Sequence, residues 1–265
     1  MVLDARALRR LWLPAFTPSP RGALRLVCIP HAGAGASIYR RWSGLLPPSI
    51  LVSPVQLPGR EERYSESPKK SIQEIAEELA PILGASVDGS FALFGYSMGA
   101  LIAFETARQL RKQGLPMPCG IIVAAHQPPQ QSIVRKPIYH LPEDEFLTEL
   151  REIGGMPEEL FDYPELLEFV LPALRSDLQA CDTYFCTPEE PLAVPFAVVG
   201  GRYDPHVPTE SLIDWKEQSS EPCSVDLLPG GHFFLRESRD LLLERVLQCL
   251  SRWKRDGFNK SNSLA

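Results

Sequence analysis

Short apolar segments alternate with amphipathic segments along most of this 265-residue chain, and this alternation constrains its fold more than any other feature. The apolar segments, rich in β-branched residues, are 24–29, 50–56, 91–95, 120–125, 194–200 and 223–228. Strands that are hydrophobic at consecutive positions are typical of a parallel sheet covered by helices on both faces. Helical spacing of apolar residues predicts helices over 71–83, 98–112, 209–218 and 235–253. We therefore predict an α/β fold with a mostly parallel, doubly wound sheet.

One interval departs from this alternation. Residues 142–152 and 164–184 give two helical patterns in succession, with no strand pattern between them. We therefore expect residues 1–135 and 187–265 to form the α/β core. Residues 136–186 are expected to form a helical insertion, here called the lid insertion, above the carboxyl ends of the strands.

The charge of this interval is also distinct. Residues 143–190 hold 14 acidic side chains against two basic ones, Arg151 and Arg175, which is a net charge of −12, whereas the whole chain carries −6. The rest of the chain therefore carries +6. The interval is either a lid of functional importance or an acidic solvated surface with no part in binding.

Composition excludes several classes of protein. The chain is 44% hydrophobic and 23% charged, as in ordinary globular proteins, and its pI of about 5.5 argues against nucleic-acid binding. No run of about 20 apolar residues predicts a membrane span, and the first residues lack the apolar core of a signal peptide. The six cysteines show no zinc-ligand spacing. We expect a monomeric cytoplasmic protein with reduced thiols, no metal and no contact with nucleic acid or membrane.

The sequence Gly-Tyr-Ser-Met-Gly at 95–99 carries the first indication of chemistry. It follows an apolar strand and precedes an amphipathic helix, which is the setting of a nucleophile elbow, where two glycines allow a strained turn that projects the serine above the sheet. The helix N-terminus adds partial positive charge beside that serine. We predict that Ser97 is a catalytic nucleophile.

A serine nucleophile needs a base, and the base needs an acid to orient it. In α/β-hydrolases these follow in the order Ser, Asp or Glu, His. Asp204 follows the apolar segment 194–200, and His232 follows the segment 223–228 within a glycine-rich loop. We predict a triad of Ser97, Asp204 and His232. The weaker candidates for the base are His206, His126 and His140, and for the acid Asp226.

An acyl-transfer site also needs two N–H donors for the oxyanion. The residue after the nucleophile, Met98, supplies one, and the loop after the first strand supplies the other. We predict the Ala32 N–H for the second donor, with His31 or Gly33 as alternatives. The same loop lacks the third glycine of a dinucleotide-binding fingerprint, so no cofactor is expected.

Four segments together resemble the stand-alone, or type II, thioesterases of polyketide and nonribosomal peptide synthesis, which have the α/β-hydrolase fold. They are Cys-Ile-Pro-His-Ala-Gly at 28–33, Gln-Leu-Pro-Gly-Arg-Glu at 56–61, the elbow at 95–99 and Gly-Gly-His-Phe-Phe at 230–234. Residues 140–155 and 171–177 are similar to lid segments of the same family. The resemblance extends from about residue 22 to 253. Where the family often has His before the nucleophile, this chain has Tyr96, which we expect to affect packing alone.

The resemblance implies hydrolysis of acyl groups from the phosphopantetheine arm of acyl or peptidyl carrier protein domains, which clears stalled or mis-primed synthases. The substrate would carry the phosphopantetheine, so the enzyme would hold no cofactor of its own. A small-molecule carboxylesterase or lipase would use the same triad and is the main alternative. A cyclising thioesterase domain is a further one.

The charge distribution predicts where a carrier would bind. Carrier domains of these pathways typically present an acidic helix, and like charges across an interface slow association. We therefore expect docking on the basic core rather than on the acidic lid insertion, with Arg40, Arg41, Arg60 and Arg63 as candidates.

Overall fold

The computed structural model describes residues 4–20, 22–131 and 136–262, and side chains as far as residue 255. The strands of the described part are β1 (Leu24–Ile29), β2 (Ile50–Pro54), β3 (Phe91–Tyr96), β4 (Ile121–Ala124), β5 (Phe196–Gly201) and β6 (Cys223–Leu228). They form one sheet in the order β2-β1-β3-β4-β5-β6, and every neighbouring pair is parallel. The predicted parallel α/β sheet is therefore confirmed.

Helices cover both faces of the sheet. The core helices are α1 (Ala5–Trp12), α2 (Ile72–Ser86), α3 (Met98–Lys112), α6 (Phe234–Glu237) and α7 (Arg239–Asn262). In β1, Val27 and Ile29 pack with α1, α2 and α3, whereas Leu26 and Cys28 point to the opposite face, where α7 packs. This two-sided burial explains why the strands are apolar at consecutive positions rather than alternating.

The chain between β4 and β5 contains α4 (Glu143–Ile153), a 3₁₀ helix (Glu158–Asp162) and α5 (Pro164–Asp182). These helices lie where the sequence predicted the two helical segments of the lid insertion. They have a small apolar core of their own, separate from the two layers on the sheet, formed by Ile138, Phe146, Leu150, Leu167, Leu171, Leu174 and Leu178.

Three elements differ from the sequence-based expectation. Thr209–Gln218 is a 3₁₀ helix rather than an α-helix, and its buried residues Leu212 and Trp215 are three apart, the spacing that 3₁₀ geometry aligns. The helix predicted over 235–253 is divided at Ser238, whose hydroxyl donates to the Pro229 carbonyl at 2.6 Å. Helix α1 was not predicted, and its N-cap is Asp4, which accepts a hydrogen bond from the Ala7 N–H at 2.7 Å.

The strand order fixes where a site can form. After β1 the chain moves to one side to form β2 and then crosses to the other side to form β3. Loops that leave β1 and β3 therefore diverge, and a crevice opens at the carboxyl ends of these two strands. The loop at residues 30–36 and the turn at Ser97 border this crevice.

Candidate active site

Ser97 lies at the sharp turn between β3 and α3, with φ 52° and ψ −119°. This is a conformation that non-glycine residues rarely adopt, and it costs about 1–3 kcal/mol. The turn needs both flanking glycines, because a Cβ on Gly95 would overlap the Gly99 carbonyl and a Cβ on Gly99 would overlap the Ile29 carbonyl. The local sequence thus places the serine hydroxyl at the amino end of α3, above the edge of the sheet.

The structure brings together the three residues of the predicted triad. The Ser97 Oγ lies 3.1 Å from the His232 Nε2, and the His232 Nδ1 lies 2.8 Å from the Asp204 Oδ2. The other carboxylate oxygen of Asp204 accepts the backbone N–H groups of His206 at 2.8 Å and Val207 at 3.2 Å. With the carboxylate held in this way, the Nδ1–H of His232 is the donor to Asp204, and the Nε2 lone pair faces the serine.

The other candidate histidines have different surroundings. The His206 ring centroid is 5.4 Å from that of His232, and its Nε2 lies 3.4 Å from the Ile153 carbonyl at the end of α4. Burial lowers the pKa of His126 to about 4, and its Nδ1 lies 2.7 Å from the Gln127 carbonyl. His140 is exposed in the lid insertion. Asp226 pairs with the Arg245 Nε at 3.5 Å on β6. The imidazole in contact with Ser97 is that of His232.

The predicted oxyanion donors border the same crevice. Met98 is the first residue of α3, and Ala32 lies in the loop after β1. Within the described part of the chain, neither of their N–H groups donates a hydrogen bond to another protein group. The Gly33 N–H, an alternative at the sequence level, instead donates to the Asp177 Oδ2 at 2.8 Å. The Gly33 N–H is therefore not available as the second donor. The N–H groups of Met98 and Ala32 are available.

His31, the other alternative, has a second role in this loop. Its Nδ1–H donates to the Ala32 carbonyl at 2.9 Å, and its ring contacts that of Phe233. The pKa of His31 is lowered to about 4, mainly by burial and in smaller part by nearby cations such as Arg236. The imidazole is therefore neutral near pH 7 and braces the loop as a hydrogen-bond donor.

Tyr96 was expected to affect packing alone, but its hydroxyl also holds the loop that carries His232. Its hydroxyl donates to the His232 carbonyl at 2.6 Å and accepts the Leu235 N–H at 3.1 Å. Tyr96 is fully buried, and burial raises the pKa of its phenol far above the usual value, so the hydroxyl stays protonated. The expectation was wrong because a strand residue next to the nucleophile can reach the loop after the last strand, which no local pattern reveals.

A cavity of about 640 Å³ lies above the triad. Ser97 and His232 form part of its floor, and the loop after β1 forms one wall. The lid insertion covers it with apolar side chains, namely Leu150, Ile153, Met156, Val170, Leu174 and Leu178. The site can therefore hold an apolar group whose carbonyl carbon faces Ser97.

The expected arginine docking surface is wrong for two of its four members. Arg60 is 6% exposed and forms a two-pronged ion pair with Asp177. Arg63 is 5% exposed, pairs with Glu66 and donates to the Gln56 carbonyl at 3.0 Å. The Arg60 side chain folds inward to the buried Asp177, and the Arg63 side chain folds inward to the carbonyl of the buried Gln56, whereas the Glu66 side chain is 40% exposed. Arg40 and Arg41 are exposed, and docking on them stays a prediction.

Asp177 is the site residue that sequence reasoning missed. It stands on α5 in a stripe of buried apolar residues, Leu171, Leu174 and Leu178. A lone acid on the apolar face of a helix needs a buried partner, and this signal was present in the sequence. The partner of Asp177 is Arg60, 117 positions earlier in the chain, and no pattern in the sequence identifies it.

The described residues 4–20, 22–131 and 136–262 contain no group of three or more His, Cys, Asp or Glu placed to hold a metal ion. None of their helices combines the length and apolarity needed to cross a bilayer. The six cysteines, all within these ranges, are free thiols.

Comparison with known proteins adds independent information. A family model described as a thioesterase domain matches residues 24–253. The gramicidin S biosynthesis protein GrsT of Aneurinibacillus migulanus is 38% identical over 233 residues, covering 88% of this chain and 91% of that protein. The thioesterase PikA5 of Streptomyces venezuelae is 38% identical over 228 residues, or 86% of this chain and 81% of that protein. The solved structure of the type II thioesterase BorB from the borrelidin biosynthetic cluster is 36% identical, with a TM-score of 0.81 over 90% of this chain and 97% of that one.

Proposed function

The chain belongs to the thioesterase domain family, and on that premise we propose that it hydrolyses acyl thioesters borne by the phosphopantetheine arm of carrier proteins. Its relatives are type II thioesterases of polyketide and nonribosomal peptide pathways. The enzyme would therefore remove stalled or incorrect acyl groups from the acyl or peptidyl carrier domains of a synthase.

In the proposed mechanism, Ser97 is the nucleophile and His232 the general base. The Ser97 Oγ attacks the thioester carbonyl carbon while its proton passes to the His232 Nε2. The C–S bond then breaks, the thiol of the arm leaves with that proton, and an acyl ester remains on Ser97. A water molecule activated by His232 attacks the ester, and the carboxylic acid is released with Ser97 restored.

The remaining groups stabilise charge during these steps. Asp204 holds the His232 ring and stabilises the imidazolium that forms in each step. The N–H groups of Met98 and Ala32 would donate to the oxyanion of both tetrahedral intermediates. Loss of one such donor costs about 3 kcal/mol of transition-state stabilisation, or roughly 10²–10³ in rate.

One observation carries this proposal: the hydrogen-bonded chain from Ser97 through His232 to Asp204 opens into a cavity that the lid insertion roofs with apolar side chains. The triad supplies the acyl-transfer chemistry. The cavity supplies a place for the acyl group, away from water.

The decisive experiment compares two substrates, an acetyl- or propionyl-loaded carrier protein and a p-nitrophenyl ester. We expect the native enzyme to hydrolyse the loaded carrier with the higher kcat/KM and Ser97→Ala to abolish both reactions. Ser211→Ala is a matched control, because Ser211 is half-buried, as Ser97 is, and its hydroxyl donates only to the Pro208 carbonyl among the contacts seen. Rapid ester hydrolysis with an untouched carrier would favour a small-molecule esterase, and activity in Ser97→Ala would refute the assigned nucleophile.

A further inference from the structure

A buried carboxylate of the lid insertion contacts the loop that carries the second oxyanion donor. Asp177 on α5 is fully buried. Its Oδ2 accepts the Gly33 N–H at 2.8 Å, and its Oδ1 accepts the Arg60 Nη2 at 2.9 Å. The Arg60 Nη1 completes the ion pair at Oδ2. One carboxylate therefore joins three segments: α5, the loop after β1 and the loop after β2.

Helix α5 also packs closely on the same loop. Gly33 has φ +75°, and a Cβ at this position would lie 2.9 Å from the Leu174 Cδ1. Leu174 and Asp177 are three residues apart, so they lie on the same face of α5. The loop thus receives both a packing contact and a hydrogen bond from one face of a helix that belongs to the lid insertion.

These contacts hold one peptide group at both ends. The carbonyl of the Ala32–Gly33 peptide accepts the His31 Nδ1–H, and its N–H donates to Asp177. Holding this peptide restricts the rotations on either side of it and so limits the positions open to the Ala32 backbone. The Ala32 N–H itself has no protein acceptor among the described residues, which leaves it free to face a substrate oxygen.

The ion pair with Arg60 offsets the free-energy cost of burying the Asp177 carboxylate. A single buried charge is strongly destabilising, whereas a two-pronged arginine–carboxylate pair satisfies both partners. Arg60 also donates to the Pro58 carbonyl, with its Nε at 3.2 Å and its Nη2 at 3.1 Å, and to the Ala34 carbonyl with its Nη1 at 3.4 Å. The guanidinium is thus anchored both to the core and to the loop after β1. The ion pair therefore fixes the Asp177 carboxylate relative to the core, and its backbone fixes it relative to α5.

We propose that Asp177, held by Arg60, is a positioning residue that makes the second half of the oxyanion hole depend on the seating of α5 against the core. The proposal rests on the proposed function, with Ala32 as an oxyanion donor. When α5 is seated, the cavity is roofed and the Ala32 N–H is fixed at the same time. When α5 is displaced, Gly33 loses its acceptor and the hole is left with Met98 alone as a fixed donor.

The test uses Asp177→Asn in the full-length enzyme, with an acyl N-acetylcysteamine thioester and p-nitrophenyl acetate as substrates. The amide retains one acceptor oxygen but not the charge that holds Arg60 and Gly33 together. We expect kcat to fall roughly 10- to 100-fold for both substrates, with KM changed less than about threefold. The Kd of phenylboronic acid, whose tetrahedral adduct on Ser97 places an oxygen in the hole, should rise by a similar factor.

Glu105→Gln is the matched control for loss of a buried ion pair. Glu105 accepts the Arg108 Nη1 at 2.8 Å and the Tyr184 hydroxyl at 2.7 Å, and both charged residues are as buried as the Arg60 pair. We expect Glu105→Gln to lower the denaturation midpoint while kcat and the boronate Kd stay within twofold of the native values. If Asp177→Asn behaves in the same way as this control, Asp177 has a structural role alone and the proposal is refuted.

A double variant covers the case in which Asp177→Asn does not fold. Arg60→Met with Asp177→Leu replaces the pair by apolar side chains of similar volume, a change that often preserves stability, but it leaves the Gly33 N–H without its acceptor. A folded double variant with low kcat and weak boronate binding supports the proposal, and one with native kcat refutes it. Ser97→Ala distinguishes failure of the proposed function from failure of the role of Asp177, because surviving hydrolysis in that variant would refute the proposed nucleophile rather than the role of Asp177.

Discussion

The phenol of Tyr96 offers a sharp test of how the His232 loop is held. Tyr96→Phe removes one oxygen atom and leaves the ring packing in place. The His232 carbonyl and the Leu235 N–H, held at 2.6 and 3.1 Å in the native structure, then lose their partner in the interior. An unsatisfied buried polar group costs about 1–3 kcal/mol, so the loss of a partner by these two groups should lower the free energy of unfolding by about 2–6 kcal/mol.

The same variant should slow catalysis, because the two contacts fix the backbone that carries the catalytic imidazole. A displacement of well under 1 Å between the His232 Nε2 and the Ser97 Oγ is expected to lower kcat roughly tenfold, since a full 1 Å error costs about 10²-fold. Urea unfolding and p-nitrophenyl ester hydrolysis measure the two effects.

Tyr184→Phe is the matched control, because its hydroxyl donates to Glu105 at 2.7 Å, outside the catalytic loops. It should lose stability and keep kcat. A Tyr96→Phe enzyme with native kcat and an unfolding free energy within about 0.5 kcal/mol of the native value would refute the reasoning, since this is the ordinary range for surface substitutions.

Two further predictions concern the acid of the triad and the buried His31. In Asp204→Asn the amide oxygen would still accept the two backbone N–H groups, and the amide NH₂ would face the His232 Nδ1. Because Nδ1 would then accept a hydrogen bond, the imidazole proton would move to Nε2, where it blocks the base. We expect kcat in steady-state assays to fall about 10⁴-fold, and a loss below tenfold would contradict the assignment. Burial lowers the pKa of His31 from 6.5 to about 4, so between these values the unfolded chain binds a proton that the folded chain does not. The contribution of His31 to the free energy of unfolding should therefore fall by up to about 3 kcal/mol as the pH drops through this window. His126 has the same lowered pKa and keeps its own contribution, so His31→Gln should make a urea-unfolding pH series about half as steep there, and a series parallel to that of the native protein would contradict the role of burial.

The sequence by itself determined the sheet and the meeting of the three residues of the predicted triad. Ser97, Asp204 and His232 each follow an apolar strand, and the carboxyl ends of parallel strands lie at one edge of a sheet. Three polar residues widely separated along the chain were therefore predictable neighbours. The elbow was equally local, because its two glycines and its strand–helix setting lie within a few residues of each other. Local sequence patterns predict such features because parallel strands and the strand–turn–helix elbow have a regular backbone geometry.

The tertiary structure alone decided how these groups are held. Asp177 is 144 positions from Gly33, and Tyr96 is 136 positions from His232. The sequence shows that a buried acid needs a donor and a buried phenol an acceptor, but many groups could satisfy either need. Arg60 and Arg63 were expected at the surface for the same reason, since their charge is visible in the sequence and their partners are not. Which partner is used depends on how α5 and the His232 loop pack against the sheet, and that is a property of the whole fold.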